Sequence, residues 1–278
     1  MALDAKIADI LSARPNYSEW LAEPPIIGDW ARKFYRDYVG IADEEELKRH
    51  LMEVREAAWK IYKYRCVASF FFVNYNLGEE YGWDWYKGLV ERVKGGDTLL
   101  DLGCAFGHTA RNLVYDGAPQ ENIISGDLRA AFCKVGYQLF RDKEKFHGRF
   151  YQGDIFDPNY LEEFNGKFNI IHASAFFHLF GLQHQTKIVE RLLQIATIKS
   201  GTIIFGRQVG CTIPRYLQHP LRLGEGLYMH SEESFRQMWE SVVAPGEWDI
   251  KLQLVPRTGV VADNGGAKGR LHFIITKL

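Results

Sequence analysis

Residues 99–108 read LLDLGCAFGH: an apolar strand ends in an acid, a small-residue turn follows, and a helix begins. The spacing is Asp101-x-Gly103-x-Ala105-x-Gly107. Small residues let a ligand approach the backbone closely, and the next helix offers free N–H groups. Asp101 can accept from an ammonium group or orient the turn. A dinucleotide fingerprint requires G-x-G-x-x-G, and the Gly103/Gly107 spacing departs from it. The next apolar run, IISGD, ends in Asp127. A carboxylate at the end of a second strand can accept from two ribose hydroxyls. Further on, NIIHASAFFHLF (169–180) carries His172, inside an apolar run and read as structural, and His178, just beyond it. His178 is a candidate general base, because imidazole titrates near neutrality. Arg207, in FGRQVG after the fifth strand, could grip a substrate carboxylate in bidentate fashion. His219, Arg222 and His230 are further pocket candidates. No His/Cys/Asp group has metal-ligand spacing, so no metal is expected, and no G-x-S-x-G elbow marks a hydrolase.

The elements that must position these residues change character near residue 95. Before it the pattern is helical and aromatic, with 17 of the 39 aromatic residues. Ile7, Ile10 and Leu11 suit a helix over 1–13, Pro15, Pro24 and Pro25 punctuate a loop, and 30–38 suits a short helix. Acids 43–46 open a long helix to about Tyr64, in keeping with the helix dipole; 66–77 is ambiguous, and 85–93 is helical again. After residue 95, strands over 98–102, 122–126, 149–152, 168–174 and 201–209 alternate with helices over 107–116, 130–140 and 182–195. A helix over 231–242 with Ser231 as N-cap precedes closing strands at 248–255 and 271–276. Such alternation predicts an α/β fold, a mainly parallel doubly wound sheet that binds ligands beyond its strands' carboxyl ends. The helix-free link between the last two strands predicts an antiparallel final strand. Two domains are expected: 1–95, a helical, aromatic-rich cap, and 96–278, the α/β domain.

Composition narrows the function classes. The 278 residues are 46% hydrophobic and 25% charged, with a formal net charge of −1. That is ordinary globular composition, and the charge balance argues against nucleic-acid binding by phosphate neutralisation. Cys66, Cys104, Cys133 and Cys211 form no C-x-x-C pair and read as reduced thiols. The N-terminus lacks the apolar core of a signal peptide and no stretch is long enough to span a membrane, so a cytoplasmic location is expected.

The 99–108 string resembles motif I of the class I S-adenosylmethionine (SAM) methyltransferases, [D/E]-x-G-x-G-x-G, with Ala105 in place of the middle glycine. The likeness covers roughly 97–278. The strings GDIFD, HASAFFHLF and GLYMHSEESFRQMW, with the aromatic N-terminal part, make the chain similar to the small fungal methyltransferases of meroterpenoid and polyketide pathways, including some that esterify a carboxylic acid. The resemblance implies a Rossmann-like fold, a seven-stranded mostly parallel sheet with an antiparallel last strand, and SAM as cofactor. It implies cofactor contacts from Asp101, Gly103, Cys104, Ala105 and Gly107, from Asp127 and Leu128, from Asp154, Ile155 and Phe156, and from Ser174. Asp154 would accept from the adenine amine, Ile155 would cover the ring, and Ser174 would line the sulfonium end. The expected activity is O-methylation of a lipophilic small molecule of secondary metabolism, on a carboxylate or a hydroxyl, with His178 and Arg207 as the candidate catalytic pair. An aromatic cap would give such a substrate a dry pocket. A homodimer stays open. The rivals are a SAM-binding cyclase that transfers no methyl, a dinucleotide-dependent oxidoreductase, and a vestigial binding protein.

Overall fold

Asp43 starts the longest helix because its carboxylate accepts from the Glu46 N–H at 2.7 Å, with Glu44, Glu45 and Glu46 filling the first turn. In the computed structural model, which describes residues 21, 23, 25–217, 226–261 and 267–278, that helix is α2 (Glu44–Ile61) and follows α1 (Asp29–Phe34). Leu47, Leu51, Val54 and Ala58 recur at three- and four-residue spacing and form its buried stripe. The expected 1–13 helix, His219 and Arg222 lie outside the described residues. Helices α3 (Arg65–Ala68), α4 (Leu77–Tyr81) and α5 (Trp83–Lys94) complete the N-terminal part, so the ambiguous 66–77 stretch is a helical turn and irregular chain rather than a strand.

The α/β part follows as β1 (Leu99–Leu102), α6 (His108–Tyr115), β2 (Ile123–Asp127), α7 (Ala130–Phe140), β3 (Arg149–Gln152), β4 (Ile170–His172), α8 (Leu182–Ile195), β5 (Ile203–Cys211), β6 (Arg215–Leu217), β7 (Leu227–Met229), α9 (Glu232–Glu240), β8 (Trp248–Val261) and β9 (Ala267–Lys277). Seven strands form one sheet in the order β3-β2-β1-β4-β5-β9-β8, and β6 with β7 forms a separate ribbon. β1, β2 and β3 pair in parallel, as do β4 and β5. β9 runs antiparallel to both β5 and β8, as its helix-free connection predicts. β1 is buried along its whole length, the signature of an interior parallel strand.

The described chain makes two compact bodies, one ending at Gly153 and the other beginning at Asp154. In the first, the N-terminal helices share a core with α7: Phe34, Leu47, Leu51 and Val54 pack together with Phe106, Phe132, Leu139 and Phe140. In the second, Ile188, Val189, Leu192 and Ile195 form the buried face of α8. Ser231 and Ser234 cap α9 reciprocally. Several expected boundaries move. β4 stops at His172 because the chain twists into a left-handed conformation at Ala175 (φ 52°). The fifth strand, expected over 201–209, runs from Ile203 to Cys211 because pairing with β9 continues, and Arg207 lies within it opposite His272.

Candidate active site

The turn after β1 holds three alternate residues in left-handed backbone: Gly103 (φ 71°), Ala105 (φ 47°) and Gly107 (φ 68°). Glycine adopts this region freely, whereas Ala105 does so at a cost of order 1–3 kcal/mol. A Cβ on Gly107 would lie 2.8 Å from Arg111 Nη1 and 3.0 Å from Phe150, so the close approach beneath the turn requires glycine there. Gly136 on α7 is equally constrained, since its Cβ would meet the Phe106 carbonyl oxygen at 2.2 Å. The α7 helix therefore supports the turn by backbone contact.

Asp127 closes the other side. Its Oδ2 accepts from the Ala105 N–H at 2.9 Å and its Oδ1 from the Arg129 N–H at 2.8 Å. Each oxygen keeps lone-pair capacity for further donors. Leu128 beside it is 49% exposed, an apolar surface ready to be covered. Asp101 is buried at the end of β1. Cys104 is buried too, and its thiol is pushed up by its hydrogen bond to Cys133 and by burial, which leaves it protonated and unsuited to act as a nucleophile.

Two residues that sequence reasoning did not single out hold this body together. Arg111, fully buried on α6, pairs with Asp142 through Nε (2.6 Å) and Nη2 (3.1 Å) and donates from Nη1 to the carbonyls of Phe106 (2.9 Å) and Gly107 (3.3 Å). Phe146, Phe140 and Tyr137 surround the guanidinium at 4.2, 4.7 and 5.1 Å. Arg129 lies over Tyr62 at 4.2 Å and donates to the Tyr64 hydroxyl at 3.1 Å, joining the N-terminal segment to the Asp127 corner. The available signal was a charged residue among apolar positions of α6; its partner could not be read from the sequence.

In the second body, Asp154 is exposed and its Oδ1 accepts from the Phe156 N–H at 3.1 Å. Ile155 is buried and Phe156 is 37% exposed. A cleft of about 300 Å³ borders Ile155, Phe156, His184 and Lys187. Ser174 follows β4, and its hydroxyl donates to the Arg207 carbonyl at 3.4 Å. His172 is buried and leans on the Phe205 ring at 4.9 Å, as its structural reading requires. His178 sits in the short turn Phe177–Leu179, and burial pushes it down to about 4. It is therefore neutral at pH 7 and only a weak base. Arg207 is 5% exposed. His230 is fully buried, its Nδ1 3.0 Å from Ser234 Oγ, and burial pushes it down to about 4 as well. Thus Asp101, Gly103, Cys104, Ala105, Gly107, Asp127 and Leu128 belong to one body, and Asp154, Ile155, Phe156, Ser174, His178 and Arg207 to the other.

Residues 20–73 match the family described as "Meroterpenoid methyltransferase N-terminal domain". The asnovolin E/chermesin D methyltransferase nvfJ of Aspergillus novofumigatus is 30% identical over 255 residues, which is 90% of each chain. The chain belongs to this family of fungal secondary-metabolite methyltransferases. O-methyltransferase atr3 of Stereocaulon alpinum is 31% identical over 238 residues, 84% of this methyltransferase and 68% of that protein. Among solved structures, the N-terminal domain of EvdMO1 with SAH bound shares the fold at 10% identity, with a TM-score of 0.52 over 85% of this chain and 98% of that one. The methyltransferase is SAM-dependent and Rossmann-like, as the motif resemblance implies. No helix among the described residues is long and apolar enough to cross a membrane.

The residues of the first body fit SAM. Alternating left-handed residues form a concave backbone turn, and a carboxylate anchored by two backbone N–H groups stands beside it with spare acceptor capacity. Burial raises the Asp127 pKa, a shift that the Arg129 and Ala105 N–H groups only partly offset. Donors from a bound ribose would favour the ionised form and lower that pKa. SAM affinity is therefore expected to weaken on acidification, starting at a higher pH than for a free aspartate near 3.9. Calorimetric titration between pH 7 and pH 4.5 checks this, and in Asp127→Asn that part of the pH dependence should vanish.

Proposed function

We propose that the methyltransferase transfers methyl from SAM to an oxygen of a lipophilic secondary metabolite, with a carboxylate preferred over a hydroxyl. The observation that carries the acceptor preference is His178: burial holds it near 4, and a base that weak has little drive to deprotonate a phenol or an alcohol. A carboxylate is ionised well below neutral pH and needs no base. Support for oxygen as the accepting atom comes from relatives that include one named as an O-methyltransferase.

When bound, SAM supplies a methyl group on a sulfonium, an electrophile that an aligned nucleophile can attack in line. The chain's own task is then alignment and exclusion of water. In this reading Asp127 receives the ribose hydroxyls, the 103–107 turn receives the amino-acid end, and Leu128 covers one face of the adenine. The N-terminal segment, whose Phe72 packs against Phe106 at 4.8 Å, acts as cover for the turn. Arg207 steadies the substrate anion and His178 lines its path.

The test is mass spectrometry of fungal extract incubated with enzyme and methyl-labelled SAM. The expected product carries one labelled methyl that base hydrolysis removes, the mark of an ester. A product changed in skeleton but without label would instead indicate a SAM-binding cyclase. On the native acceptor, His178→Ala is expected to cost little beyond packing, whereas Arg207→Ala should raise KM strongly. A fall in kcat of about 10²–10⁴ at His178, with Arg207 silent, would overturn the carboxylate preference.

A further inference from the structure

Among its described residues, the second body holds several buried polar side-chain atoms without partners. Gln208 is 3% exposed, and neither its amide oxygen nor its amide nitrogen has a hydrogen-bond partner among the described residues. The same holds for Nε2 of the fully buried His230 and for Nδ1 of His178. Buried polar groups are nearly always satisfied in folded proteins, so such a set marks a place where a ligand or ordered water belongs.

Strand pairing places Gln208 on the face of β5 against which His230 lies. Side chains two residues apart on a strand share a face. A Cβ on Gly206 would meet Phe273 at 2.7 Å, and one on Gly210 would meet the His230 carbonyl oxygen at 3.2 Å. Gln208 lies between them on that face, paired with Leu271. The rings over it form a chain: His230 to Phe235 at 5.3 Å, Phe235 to Phe273 at 5.1 Å and Phe177 to Phe273 at 5.7 Å. Arg207 and the 40%-exposed Val209 point to the opposite face. Gln208 is also the third residue after Phe205, the last β5 residue paired with β4, so it lies in the strand's overhang at the carboxyl edge, where α/β sheets bind ligands. The His230 imidazole on this side is neutral at pH 7, since burial pushes it down to about 4. The surroundings are thus aromatic and uncharged, with a few convergent hydrogen-bonding groups.

We propose that Gln208 and His230 form a specificity pocket that recognises a neutral oxygen of the lipophilic substrate, a hydroxyl or carbonyl distinct from the accepting carboxylate. The proposal rests on the reading above that the substrate is a lipophilic oxygenated molecule. Its test needs no methyl transfer, so the two can fail separately.

Cyclohexanol, cyclohexanone and methylenecyclohexane are near-isosteric probes carrying, respectively, a donor and acceptor, an acceptor only, and neither. They would be titrated into the full chain saturated with S-adenosylhomocysteine and followed by ligand-observed NMR. The two oxygenated probes are expected to bind about 3–10-fold more tightly than the hydrocarbon, the worth of one or so net hydrogen bonds. Gln208→Met, nearly the same shape, should erase that preference while leaving Tm unchanged or higher, because it removes unsatisfied polar atoms. His230→Phe, which keeps the ring stacking, should narrow it. Equal binding of all three probes by the wild type would overturn the proposal, whatever the variants do. So would a preference that survives Gln208→Met, or a lowered Tm in that variant, which would show a structural hydrogen-bonding role.

Discussion

Asp142→Ala is expected to lower the unfolding free energy by about 3–5 kcal/mol, because it strands the Arg111 charge in the interior. Arg111 and Asp142 are 0% and 1% exposed, so water cannot replace the lost carboxylate. The rings of Phe146 and Phe140 at 4.2 and 4.7 Å still face the guanidinium in the variant, and a desolvated cation–π contact, worth roughly 2 kcal/mol or more, keeps the stranded charge from costing the full Born penalty. Tyr38 loses a partner as well, for its hydroxyl donates to Asp142 Oδ2 at 2.9 Å. The damage should reach the turn after β1, because Arg111 Nη1 holds the carbonyls of Phe106 and Gly107. Arg111→Met paired with Asp142→Leu should recover much of the stability, since an apolar pair can replace a buried ion pair at little cost. Denaturant unfolding of the two single variants and the double variant measures the coupling. A loss under about 1 kcal/mol for Asp142→Ala, the range of an exposed pair, would show that the pair is not what holds α6 in place.

Asp127→Ala is the second large effect, on binding rather than on folding. It removes the acceptor for the Ala105 and Arg129 N–H groups and, in the proposed role, for two ribose hydroxyls. SAM affinity should fall by roughly 1.5–3 kcal/mol, about 10–150-fold. Asp127→Asn should fall between, since an amide keeps one accepting oxygen and cannot accept through its nitrogen. The dissociation constant for S-adenosylhomocysteine is expected to rise in parallel, because it carries the same ribose. A SAM dissociation constant unchanged in Asp127→Ala would remove Asp127 from the site.

The parts of this protein legible in its sequence are those set by neighbours along the chain. The boundaries of α7, α8 and β3 fall at 130–140, 182–195 and 149–152 as periodicity and breakers predict, because helix and strand periods are local properties. Asp101, the glycine turn and Asp127 could be picked out for the same reason: a strand ending in an acid before a small-residue turn is a contiguous pattern. The β6–β7 ribbon carried no such signal, since three-residue strands are too short to show alternation. Strands β8 and β9 outran their apolar runs because pairing with each other satisfies the backbone whatever the side chains.

Tertiary structure alone decided the partnerships. Nothing in the sequence links Arg111 to Asp142, 31 residues away, or Arg129 to Tyr62 and Tyr64. Such pairs form only when separate elements pack, and burial then makes a charge costly unless its partner is present. Gln208 shows the same division. Alternation along a strand separates its face from that of Arg207, yet only packing decides which face is covered by aromatic rings, because that depends on elements distant in the chain.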